Sequence, residues 1–296
     1  MKRSFYYLLT AFAILFTACK TESPLAQLEQ QVKAELAKEK GFFAVAFKNL
    51  STDEEILISA RDSFHAASTM KTPVLIELYK QAAAGKFSLQ DSVLVKNEFK
   101  SIVDGSPYSM DIDDDSEGQL YNAIGKNRTI ADLAYDMIIY SSNLATNILI
   151  ELVDAKKVTQ SMRELGAPDI EVLRGVEDNK AYELGLSNST TAFDLMAIYA
   201  KLAKGEVVSE QASQEMINIL LDQKFNEIIP AYLPKDVKVA HKTGVITAVH
   251  HDSGIVLLPD GRKYVLVLLS SQLADFDSGT AKMADISKMI YDYVIQ

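Results

Sequence analysis

The chain has 296 residues, 48% of them hydrophobic and 24% charged, which excludes both an intrinsically disordered chain and a polytopic membrane protein. A formal charge of −10 is a poor match for phosphate backbones, so nucleic acid is not an expected partner. With Cys19 the only cysteine, an internal disulfide, a redox pair and a cysteine metal cage are all excluded.

Lys2 and Arg3 precede the apolar run Phe5–Phe16, followed by Thr17, Ala18 and Cys19. The run is short of the roughly 20 helical residues that cross a bilayer core. A basic start, a short apolar core and small residues before a break read as a secretory signal over residues 1–18. Phe16-Thr17-Ala18-Cys19 resembles a bacterial lipobox, with Phe where Leu is commoner. The expectation is lipid on Cys19, a tether over residues 19–24 and an exported bacterial lipoprotein of the periplasm or outer membrane. Plain signal cleavage near Ala18 is the alternative.

Leu25, Leu28, Val32 and Leu36 recur at helical spacing, which predicts an amphipathic helix over 25–39. Strands are expected at 42–50 and 55–60, joined by Ser51-Thr52-Asp53, and a helix over 68–84 stopping at Gly85. The pattern then stays mostly helical to about residue 225. Thr129 with Asp132, and Thr191 with Asp194, read as capping boxes within it. Strands return at 237–244, 254–258 and 264–270, the last two joined by Pro259-Asp260-Gly261, before a final helix carrying Met283, Ile286, Ile290 and Val294. That order predicts an α+β fold: an antiparallel five-stranded sheet flanked by helices, with an inserted all-helical lobe. The sheet lobe is expected at about 25–67 and 226–296, the helical lobe at about 68–225.

Ser68-Thr69-Met70-Lys71 is the single S-x-x-K of the chain, and a three-residue helical spacing puts serine and lysine on one face. A serine hydroxyl is a weak nucleophile until a base takes its proton, which a neutral lysine can do directly or by relay. His241-Lys242-Thr243-Gly244 ends an expected strand. There, lysine and threonine can bind a carboxylate, and glycine lets a substrate pass close to the backbone. Ser141-Ser142-Asn143 sits at a break between two helical runs, where a helix cap is the plain alternative.

In this order the three motifs resemble those of the penicillin-recognising serine hydrolases, most closely the class A β-lactamases, over about residues 25–296. The resemblance implies that Ser68 attacks a lactam carbonyl, activated by Lys71, and that Ser141 passes a proton to the leaving nitrogen. Asn143 would hold the substrate side-chain amide, and Lys242 and Thr243 its carboxylate, beside Gly244. Backbone N–H groups of Ser68 and Val245 would form the oxyanion hole. Tyr108 matches a cleft-edge position. The substrate would be a small β-lactam, with no metal and no cofactor. A D-Ala-D-Ala peptidase, or a lipoprotein that binds β-lactam or peptidoglycan without turnover, shares these motifs.

Two departures stand out. Ser142 replaces the aspartate of the usual S-D-N, a carboxylate that braces the loop in relatives. The E-x-x-L-N that holds the hydrolytic water is also missing. Counting from Arg174 to Thr190 without gaps puts Val176 at the glutamate's place, leaving Glu177, one residue late, as the expected deacylation base. An extension at Asp111–Glu117 alternates like a calcium loop but lacks its glycine and its bidentate glutamate, and reads as a solvated loop. His250 and His251 would face opposite sides of a strand, which suits a chelate poorly, and His65 and His241 read as structural.

Overall fold

The computed structural model describes residues 23–296; the expected signal segment at 1–18 and Cys19 lie outside the described residues. In chain order, α1 (Pro24–Leu36) leads into β1 (Phe42–Asn49) and β2 (Glu55–Ile58). The helices α2 (Lys71–Ala83), α3 (Ile130–Ile139), α4 (Asn143–Val153), α5 (Ala155–Glu164), α6 (Asn179–Glu183), α7 (Ala192–Ala203) and α8 (Glu210–Leu221) follow. The chain then returns through strands β3 (Lys238–Ile246), β4 (Val249–Leu257) and β5 (Lys263–Ser271), and closes with helix α9 (Phe276–Val294). These five strands form one antiparallel sheet in the order β2-β1-β5-β4-β3, the α+β architecture expected from the element order.

Alternation along the strands splits the core into two layers. Val45, Phe47, Leu266 and Leu268 face one way, against Leu28, Val32 and Leu36 of α1 and Met283, Ile286 and Ile290 of α9. Ala44, Ala46, Val265, Val267 and Leu269 face the helical insert. The alanines let α7 lie close across that face. Each fully buried Leu or Ile contributes about 1.5–3 kcal/mol relative to exposure, so truncating Ile286 at the sheet–α9 seam costs several kcal/mol.

Caps mark the expected helix starts. Thr129 and Thr191 accept the N–H groups of Asp132 and Asp194, both at 3.0 Å, opening α3 and α7. The turn between β4 and β5 depends on Gly261, whose φ of +89° lies in the left-handed region and whose N–H reaches Leu258 O at 3.0 Å.

Among the element boundaries that differ from expectation, two bear on the site. β4 starts at Val249 rather than 254, because His250, His251, Asp252 and Ser253 are buried strand residues whose polarity conceals the pattern. The helix expected from residue 68 becomes regular only at Lys71; Ala67–Met70 is a tighter 3₁₀ turn.

Candidate active site

That turn lies against the sheet edge. A Cβ on Gly244 of β3 would sit 3.0 Å from Ser68 N and 3.1 Å from Thr69 N, so any side chain there would crowd this approach and push the turn back by a few tenths of an ångström. Ala67, just before Ser68, has a φ of +44°, a costly conformation for a residue with a side chain. Its surroundings hold it there: Ala67 N–H donates to His65 Nδ1 at 3.0 Å, Ala66 N–H to Asn188 O at 2.8 Å, and Thr69 Oγ1 to Ala66 O at 2.6 Å. Burial, with the Arg174 charge nearby, lowers the His65 pKa and keeps Nδ1 free to accept. His251, pushed down to about 4 by burial, donates from Nε2 to His65 O at 2.9 Å while Nδ1 accepts Ser270 N–H. Both histidines are thus struts of the nucleophile turn. His250 faces the other side, stacked on Phe276 with Nδ1 2.8 Å from Thr280 Oγ1, so the pair does not chelate. His241 pairs with buried Asp252 at 2.8 Å, one residue before Lys242.

Lys71 and Lys242 are both fully buried and converge on one hydroxyl. Lys71 Nζ donates to Ser141 O at 2.6 Å, Ser141 Oγ at 3.2 Å and Asn143 Oδ1 at 2.8 Å. Lys242 Nζ donates to the same Ser141 Oγ at 3.0 Å and to Thr243 O at 2.9 Å. Burial lowers the Lys71 pKa to about 7, opposed by the charges of Asp115 and Glu177. Burial and the neighbouring Lys71 push Lys242 well below its ordinary value, opposed by Asp252. Among the described residues no hydrogen bond links Lys71 to Ser68; the lysine is drawn toward the Ser141 loop instead. Ser141 itself has a φ of +59°, a second strained backbone in the site. With both lone pairs engaged by lysines, its proton is left to point at the cleft.

Ser68 and Val245 border both halves of that cleft. One half, about 370 Å³, is also lined by Asn143, Val176, Glu177, Asp114 and Tyr182. The other, about 400 Å³, is lined by Ser141, Thr243, Ser116, Glu227 and His250. Thus Ser68, Ser141, Asn143, Thr243, Val245 and Glu177 share one cleft, with Lys71, Lys242 and Gly244 directly behind it. Tyr108 lies outside it: its hydroxyl donates to Val176 O at 3.3 Å and its ring packs on Phe99.

The 174–190 loop explains its own irregular spacing. Asn147, buried on α4, accepts Val176 N–H at 2.7 Å and donates to Val176 O at 3.0 Å, fixing the backbone of residue 176. Glu177 then takes a φ of +61°, and its Oε1 accepts Asn143 Nδ2 at 3.0 Å. Burial raises its pKa; the Asn143 hydrogen bond opposes this, while Asp114 and Asp115 push the same way. Arg174 spans the loop base, donating to Leu186 O and Gly175 O, and Asp178 accepts Ser101 Oγ and Ile102 N–H, both at 2.8 Å.

The sequence reading missed one residue. Asp115, in the extension expected to be merely solvated, reaches the start of α4 and accepts N–H bonds from Asn143 and Leu144, both at 2.9 Å. No local pattern signals this, since the partners are 28 and 29 residues away. Among the described residues no group of acidic, histidine or cysteine side chains is arranged to hold a metal ion.

Comparison with known proteins agrees with this geometry. The extended-spectrum β-lactamase PER-1 of Pseudomonas aeruginosa is 23% identical over 301 residues, covering 97% of this chain and 94% of that protein. A β-lactamase of Bacteroides uniformis is 24% identical, covering 99% of each. Among solved structures, PBP-A superposes with a TM-score of 0.79 at 25% identity, covering 92% of this chain and 97% of that one. A β-lactamase from Chitinophaga pinensis gives 0.79 at 21% identity, covering 90% and 99%. The family model described as the beta-lactamase enzyme family matches residues 27–294, so with its serine, two lysines and K-T-G strand around one cleft this chain belongs to that family.

Proposed function

We propose that the protein is a class A-like serine β-lactamase working through an acyl-Ser68 intermediate. The convergence of Lys71 and Lys242 on Ser141 Oγ, beside Ser68, carries this reading. Ser68 Oγ attacks the lactam carbonyl while its proton passes to neutral Lys71, directly or by relay. The N–H groups of Ser68 and Val245 receive the oxyanion. Ser141 gives its proton to the leaving nitrogen as the C–N bond breaks, and is reprotonated through the lysines. Thr243 and Lys242 hold the substrate carboxylate, and Asn143 its side-chain amide. Glu177 takes a proton from water as that water attacks the acyl ester, and the proton is passed on to Ser68 Oγ as the ester C–O bond breaks, restoring both groups.

A D-Ala-D-Ala peptidase is the second reading, favoured by one observation: Val176, not an acid, occupies the backbone position clamped by Asn147. A variant of PBP-A has been solved as an acyl-enzyme complex with penicillin G, so a neighbour of this fold is acylated by such a compound. Steady-state hydrolysis of a chromogenic cephalosporin separates the readings. Many turnovers support the lactamase; a single stoichiometric burst favours the peptidase or a non-turnover binder; no reaction removes the β-lactam reading.

Export with a lipid on Cys19 belongs to the same proposal. It is supported by Lys2, Arg3, the Phe5–Phe16 run and Phe16-Thr17-Ala18-Cys19, with Pro24, the first residue of α1, only a few positions later. Two acyl chains would anchor it firmly, where one gives marginal binding. Mass spectrometry of the mature N-terminus tests it; an unmodified residue there removes the anchor.

A further inference from the structure

We propose that Asp115 is a positioning residue for acylation, supplying from the acidic extension the carboxylate that the Ser141-Ser142-Asn143 motif lacks. This rests on the acyl-serine reading above. Two differences in the sequence, a serine in place of aspartate and the extra acidic segment, are then two parts of one arrangement.

The accounting at the start of α4 is complete. A helix leaves its first four N–H groups without intrahelical partners. Here Asn143 N–H and Leu144 N–H donate to Asp115 Oδ1 and Oδ2, both at 2.9 Å. Ala145 N–H donates to Ser142 Oγ and Ser142 N–H to Asp136 O, both at 3.2 Å, while Ser142 O accepts the first helical bond, from Thr146 N–H. Ser142 is therefore fully used as a cap and leaves two donors that only Asp115 serves. Asp115 is itself fixed by Tyr121 Oη at 3.1 Å and Glu117 N–H at 3.2 Å. The extension is thus folded to deliver this carboxylate.

The residue it holds matters for the chemistry. Asn143, bonded through its N–H to Asp115, uses its side chain to accept Lys71 Nζ and to donate to Glu177 Oε1. Ser141, two residues earlier in a strained conformation, takes the other bonds of Lys71. Releasing the α4 start therefore loosens both acceptors of the activating lysine at once. Asp115 also acts through its charge. The charged groups facing Lys71 are Asp115 from the extension, Glu177 from the 174–190 loop and Lys242 from β3. Removing the Asp115 charge disfavours the Lys71 ammonium and lets the neutral base persist to lower pH. Glu177 responds in the same direction, since Asp115 favours its protonated form.

The test measures acylation by a fluorescent penicillin, with rate constants across pH, in wild type, Asp115→Asn, Asp115→Ala and Asp115→Ala combined with Ser142→Asp. Wild-type labelling tests the acyl-serine reading by itself; without it that reading fails, whatever Asp115 does. Given labelling, Asp115→Ala should acylate about ten- to a hundredfold more slowly, and adding Ser142→Asp should recover most of that loss. Asp115→Asn should shift the acid limb of the acylation profile to lower pH, a change that loss of packing alone does not produce. If Asp115→Ala does not fold, the Asp115→Asn profile decides. Wild-type rate and an unshifted limb in Asp115→Asn, or no recovery by Ser142→Asp in a folded Asp115→Ala protein, overturns the proposal.

Discussion

The two buried lysines behind the cleft and the 174–190 loop are held by different means. Lys71 and Lys242 sit on a helix and a strand, fully buried, and their charged ends meet on a hydroxyl whose backbone is itself constrained. The loop has little regular structure of its own and hangs from side chains. Asn147 fixes residue 176, Asn188 accepts the N–H groups of Leu173 and Arg174, and Asp178 ties the far end to Ser101. The first arrangement tolerates no shift in register, because a one-residue slip on a strand or helix turns a lysine away. The second can absorb one, because a single residue at positive φ re-aims the chain. Glu177 does this: its position is one residue late by count, yet its carboxylate reaches Asn143.

Lys71→Ala should lower the acylation rate by at least about 10³-fold, since nucleophile and activator act as a unit. Burst kinetics with a chromogenic cephalosporin measure this; a loss under tenfold would remove Lys71 from proton transfer.

Glu177→Gln is the matching test on the loop. Loss of a general base costs about 10²–10⁴-fold, and here the loss should fall on deacylation. The variant should still label, then accumulate a covalent adduct visible by intact mass. Wild-type turnover in this variant would mean that another group activates the water.

The pH profile sharpens the distinction. With Lys71 brought down to about 7 by burial, the neutral base is lost as pH falls, so acylation should drop about tenfold per pH unit below roughly 7. A lysine at its ordinary value would put that limb above pH 10. Single-turnover acylation from pH 5 to 9 reads this, and a flat profile would exclude Lys71 as the titrating base.

The two regions also differ in how far the sequence exposes them. Lys71, Lys242 and Gly244 announce themselves because each is one residue of a short motif on a regular element, where spacing fixes direction; Ser68 and Ser141 belong to such motifs too, but lie on a 3₁₀ turn and a loop. The sheet is visible through the nearly continuous apolar runs within 42–49 and 263–271, buried on both faces, but not over 249–253, where buried polar residues read as a loop. Asp115 is hidden for a different reason. Its partners lie across a docked segment, and composition sees only an acidic stretch. Tyr108 carries a matching motif yet faces the loop base, because its hydroxyl follows the Val176 carbonyl and the Asn147 amide.

The smallest expected effect tests whether the side-chain clamp, rather than Glu177 alone, sets the loop. A Cβ on Gly175 would lie 2.3 Å from Asn147 Oδ1, the atom that accepts Val176 N–H at 2.7 Å. Gly175→Ala therefore cannot keep this bond at its present geometry, and either the Asn147 amide or the backbone at residue 176 must shift. Lys71, Ser141 and Lys242 do not touch Gly175, so the burst that reports acylation should stay within about twofold of wild type. Deacylation depends on a carboxylate held through the next residue, so the steady-state rate should fall about tenfold; a misplacement of about 1 Å can cost up to 10²-fold. A slowed burst with an unchanged ratio of burst to steady state would show that the clamp supports the whole cleft. Unchanged rates for both would mean that Glu177 is positioned by Asn143 without help from the clamp.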